Sequence, residues 1–212
     1  MKKKGIIWSL LMILFAMIFV IPSSREAFMA FSGTHGYIAG FIKVGFLSTM
    51  GEILATRITT GQWKLKSYFI VRVLIWGVIG VLLTLMFGIF AGGVTSLQAA
   101  GKLPGQGSSF AFAFFTSLIM NTTFAPTFMF AHRLSDTYLD MKADKKEITV
   151  KNLAENANLF GFLDFVIKKT ILFFWVPAHT FTFMLPAEYR ILMAAVLSFV
   201  LGILLALGNK KK

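Results

Sequence analysis

The sequence has no cysteine, and its 212 residues include only nine acidic side chains and three histidines. The lack of cysteine excludes disulfides, thiolate metal sites and a thiol nucleophile together. His35, His132 and His179 fall at different expected depths, so they are not expected to meet on one metal. There is no H-E-x-x-H, no G-x-S-x-G and no glycine-rich phosphate loop opening a helix. The expectation is a protein without catalysis, cofactor or metal. Charge is scarce as well: 14% of residues are charged, against roughly 25% in an ordinary soluble domain.

Apolar side chains take that place. The chain is 57% hydrophobic and 15% aromatic, with a mean hydropathy of +0.75. Several separate apolar runs approach the roughly twenty residues needed to cross a bilayer. The fold class expected is therefore all-α, a polytopic membrane helix bundle forming a single domain over 1–212. About six membrane helices are expected, near 5–21, 27–60, 67–94, 110–131, 152–186 and 191–207. The first of these has a basic start and is read as a retained signal-anchor, because no small-x-small cleavage site follows Pro22-Ser23-Ser24.

The net charge is +12, from 21 Lys and Arg against 9 Asp and Glu. No basic face interleaved with aromatics accompanies it, so nucleic acid is not an expected partner. With six crossings, seventeen of the 21 cations fall on one side, including Lys2–Lys4 and Lys210–Lys212. Arg25, Lys102 and Arg190 fall on the other, and Lys43 is left in mid-span. The positive-inside rule then makes both termini cytoplasmic. The bilayer and its anionic headgroups are the expected partners, in the cell membrane or, as an alternative, an organelle membrane. A homo-oligomer is left open.

Polar residues inside apolar runs are the candidate functional groups, because lipid tolerates them only where they face protein or water. Lys168–Arg190 holds Pro177, His179, Thr180 and Thr182 within its apolar run, and is read as a bent helix turned to an interior. Phe110–Ala131 holds Asn121 and a second expected kink at Pro126. Asn121 and His179 are expected to face one internal polar cavity. Glu52 and Arg72 sit at similar depth on successive helices, so an ion pair between them is expected. Gly33, Gly36, Gly40, Gly45, Ser48 and Gly51 give the second helix a small-residue face for close helix packing.

The segment carrying Trp175, Pro177, Phe183, Pro186, Tyr189 and Arg190 resembles the C-terminal segment of the Mpv-seventeen/peroxisomal-membrane-protein family. Asn121-Thr122-Thr123-Phe124-Ala125-Pro126 is similar to that family's Asp-Gln motif before proline. Gly45 to Glu52 and Gly77-x-x-Gly80 resemble its glycine-rich elements. The resemblance runs from about Lys43 to Leu207, with Asn121 and Thr122 standing where the family has Asp and Gln. It implies a small integral membrane protein with a pore-type role, since channel activity belongs to some members. Together the readings give a weakly selective channel or transporter for small solutes, with Glu52, Arg72, Asn121 and His179 as polar-interior residues. The alternative is a non-transporting membrane scaffold or stress-related partner of other membrane proteins. That alternative expects a dry, packed bundle and a glycine face left exposed on the second helix.

Overall fold

A computed structural model describes residues 2–210, so Lys211 and Lys212 of the basic C-terminus lie outside the described residues. Every regular element among the described residues is a helix. In order these are α1 (Lys2–Val20), α2 (Pro22–Thr34), α3 (Gly36–Thr60), α4 (Phe69–Ala99), α5 (Ser109–Ala143), α6 (Val150–Asn156) and the single turn α7 (Leu159–Gly161). A π-helix (Phe162–Trp175), α8 (Val176–Met184) and α9 (Ala187–Lys210) complete the chain. Among the described residues four helices are long and apolar enough to cross a membrane: α1, α3, α4 and α9. An all-helical chain with long apolar helices is what composition foretold.

Several boundaries differ from the expected ones. The second expected helix is two, because His35 leaves the helical region (φ −126°, ψ 49°) between α2 and α3. Pro126 does not end α5, which runs on through Ala143 and turns the first part of the expected charged loop into helix. Thr137, Leu139 and Met141 are buried along this extension, so packing overrides the local charge. The expected lead-in and bent helix over 152–186 divides into α6, α7, the π-helix and α8. Pro177 is the second residue of α8, which continues directly from the π-helix, so its missing N–H takes a donor from the preceding turn. The change of helix type precedes it.

The described chain divides into two compact units. Unit 1 is the chain up to Leu85 together with the chain from Ala187 onward. Its centre is α3, whose Ala39, Val44 and Leu47 are buried with Ile79 and Leu83 of α4 and Ala194 and Ala195 of α9. The α3 glycines set the spacing. A Cβ on Gly80 would collide with the Gly40 carbonyl, and one on Gly40 with the Thr84 hydroxyl. A Cβ on Gly51 would stand 3.2 Å from Phe199 of α9. The small-residue face is thus used within the unit, at Gly40, Gly45 and Gly51. Helix α1 attaches through Trp8, whose indole Nε1 donates to the Met50 carbonyl at 3.0 Å. Ile6, Ile13, Leu14 and Val20 stay exposed on it, a surface suited to lipid rather than water.

Unit 2 runs from Met86 to Pro186. Its core pairs α5 with α8, burying Ala113, Met120 and Ala125 against Val176 and Phe183. The turn before α5 is held by Gln98, whose Nε2 donates to the carbonyls of Pro104 and Gly105 at 3.0 and 3.2 Å. Ser108 caps α5 by accepting from the Ala111 N–H.

Candidate functional site

The four sequence candidates fall into two pairs, one in each unit. In unit 2, Asn121 of α5 and His179 of α8 are both buried, Asn121 completely. Asn121 Nδ2 donates to the Ser117 carbonyl at 2.8 Å and reaches the Ser117 hydroxyl at 3.2 Å. That fixes which end of the amide faces α8. Asn121 Oδ1 lies 3.1 Å from His179 Nδ1, so Nδ1 carries the proton and donates. In that tautomer the lone pair of Nε2 is left as an acceptor, and Nε2 has no partner among the described residues.

The surrounding groups lock the imidazole. Trp175, the last residue of the π-helix, stacks on it at 5.1 Å with a 28° tilt, and Phe87 meets it edge-on at 5.5 Å. Phe183 packs on Phe87 at 4.8 Å and closes the cage. Around the base of α8, the Val176 carbonyl accepts from Ser117 at 2.7 Å and from Thr180 at 2.8 Å. The π-helix has an i to i+5 pattern that sets Val176 and Trp175 where a regular α-helix would not, and such insertions often mark functional sites.

A second polar atom in this cluster is not matched. Trp175 Nε1 is buried and has no hydrogen-bond partner among the described residues. A buried N–H without an acceptor costs roughly 1–3 kcal/mol, so such an atom calls for a reason. Trp175 was read from the sequence only as part of a family-like segment. The signal available for it was its position four residues before His179, one turn away on the same face.

In unit 1, Glu52 and Arg72 line one recess, as equal depth on successive helices implies. The expected ion pair between them is not formed. Glu52 Oε1 instead accepts from Trp76 Nε1 at 3.0 Å, and Arg72 Nε donates to the Ser67 carbonyl at 3.1 Å. Trp76 stands one turn after Arg72 on α4 and presents its indole N–H to the carboxylate, while the buried Arg72 turns its Nε back to the start of its own helix. A second buried cation was read only as mid-span. Lys43 of α3 donates from Nζ to the Glu188 carbonyl at 3.2 Å and lies 4.7 Å over the Phe28 ring.

Pro126 lies inside α5, where it removes the donor to the Thr122 carbonyl. Thr122 and Thr123 turn their own hydroxyls back to the carbonyls of Leu118 and Ile119, at 2.8 and 2.6 Å. His132 stands 3.8 Å from Asp136 one turn along the same helix. Comparison with family models, curated proteins and solved structures finds no match to this chain.

Proposed function

We propose that the chain is a six-crossing membrane protein that lets small uncharged polar solutes cross, contacting them at the Trp175–His179–Asn121 group of unit 2. Its basic ends and loops, and with them both termini, would lie on the cytoplasmic side, by the distribution of lysine and arginine. The observation that carries the reading is the unmatched pair on the two stacked rings: a buried N–H on Trp175 and an open lone pair on His179. One donor beside one acceptor is what a hydroxyl or amide solute needs to replace the water it sheds. The groups bind by hydrogen bonds rather than by fixed charge, which favours uncharged solutes over ions. Bent or discontinuous helices commonly build such sites in membrane transport proteins.

The scaffold reading makes the opposite demand at one point. It needs a free small-residue face, whereas Gly40, Gly45 and Gly51 of α3 are occupied by α4 and α9, and of the glycines in that face Gly33 alone has open space around it. That observation favours the solute reading. Flux of glycerol into proteoliposomes tests it, with the parent chain against Asn121→Leu. The substitution removes the acceptor that orients His179, so flux falls while the protein remains inserted. A parent protein that carries no glycerol, or an Asn121→Leu variant that carries it unchanged, would move the function to the scaffold.

A further inference from the structure

The recess of unit 1 has a composition of its own. Thr49, Glu52 and Thr56 of α3, Lys64 and Lys66 of the α3–α4 connection, and Arg72 of α4 line it. Its enclosed space is about the size of one water-sized group. Residues 63–66 are not helical, and from this connection both Lys64 and Lys66 reach the recess. Trp63 beside them packs on Trp8 at 5.6 Å. Tryptophans beside lysines at the end of apolar helices mark the depth of lipid headgroups.

Thr49 is the second, independent observation. The other threonines of α3 turn their hydroxyls back to the helix: Thr56 to Glu52, Thr59 to Ala55 and Thr60 to Thr56, at 2.9, 2.9 and 2.7 Å. Thr49 does not. It is 5% exposed, lines the recess, and its Oγ1 has no partner among the described residues. The 31-residue helix α4 also begins here, with Phe69 in the lining, and a helix start attracts negative charge.

We propose that this recess holds the phosphodiester of an anionic glycerophospholipid headgroup. The ammonium groups of Lys64 and Lys66 pair with its non-bridging oxygens, and the Thr49 hydroxyl donates to the oxygen that reaches the floor. Glu52 is held to the back by Trp76 and opposes a second negative charge, so a singly charged diester fits better than a phosphate dianion. The proposal stands apart from the solute reading, because all its residues belong to unit 1.

The test uses the purified full chain in detergent, titrated with phosphatidylglycerol, phosphatidylcholine and inorganic phosphate, with tryptophan fluorescence as the readout. Phosphatidylglycerol should bind well and phosphatidylcholine weakly. Lys64→Gln with Lys66→Gln should lower phosphatidylglycerol affinity about thirtyfold, a factor of about five for each lysine. Thr49→Val should lower it about fivefold, and Thr49→Ser should restore it. Lys102→Gln, a cation outside the recess, should change nothing. Equal binding of the two lipids, full binding by the lysine or Thr49→Val variants, or an equal loss in Lys102→Gln would each overturn the site. Displacement of the lipid by millimolar inorganic phosphate would reassign the recess to soluble phosphate and overturn the lipid assignment.

Discussion

Asn121 is held on both sides: its amide nitrogen by Ser117 and its oxygen by His179. Asn121→Leu leaves the His179 N–H buried without an acceptor, so stability in detergent should fall by about 1–3 kcal/mol. Trp175→Phe does the reverse. It keeps a ring against His179 and removes a buried N–H that nothing accepts, which offsets part of the cavity cost of the smaller ring, so stability should fall by less than about 3 kcal/mol, checked by thermal unfolding in detergent. At Glu52 the coupling is with Trp76. Thermal unfolding of Glu52→Ala, Trp76→Phe and the double variant should give a coupling of about 0.5–3 kcal/mol, and strict additivity would contradict the contact. Depth alone made Glu52 and Arg72 neighbours in the sequence. Which donor reaches the carboxylate depends on side-chain direction, and helix spacing does not contain it.

Between α3 and α4 the glycines decide how near two backbones come. Gly80→Ala drives a methyl into the Gly40 carbonyl and should cost about 1–3 kcal/mol or more. Gly88, further along the same helix, has open space around it, and Gly88→Ala should be neutral or up to about 1 kcal/mol favourable. Similar unfolding midpoints for the two variants would remove the close approach from the account. The glycine face was legible because small residues at helical spacing have one physical use in lipid. The break at His35 was not, since neither glycine nor proline stands there and the change is in backbone angle alone. Nor was the continuation of α5 past Ala131 to Ala143, where buried Thr137, Leu139 and Met141 outweigh the charges between them. The π-helix has no composition that distinguishes it from an apolar α-helix, so Trp175 and His179 were found singly and not as a stacked pair.

For the whole molecule the open count is of crossings. Among the described residues four helices are long and apolar enough by composition, and six crossings require α5 and the π-helix with α8 to cross as well. The absence of cysteine makes this measurable with single introduced thiols. Gln106→Cys, before α5, should react with an impermeant thiol reagent on intact cells. Lys145→Cys, after α5, should react only once the cells are opened. Labelling of both from the same side would mean that α5 does not cross, and the orientation drawn from the basic residues would fall with it. The central claim concerns what the buried polar cluster of unit 2 is for, and one atom tests it most directly. Glycerol flux into liposomes should be measured for the parent chain and for Trp175→Phe, which lacks only the unmatched N–H and part of a ring. The account predicts a parent flux above that of empty liposomes and a clear fall in the variant, with folding and insertion intact. Equal flux in the two proteins, or none in the parent, would contradict it.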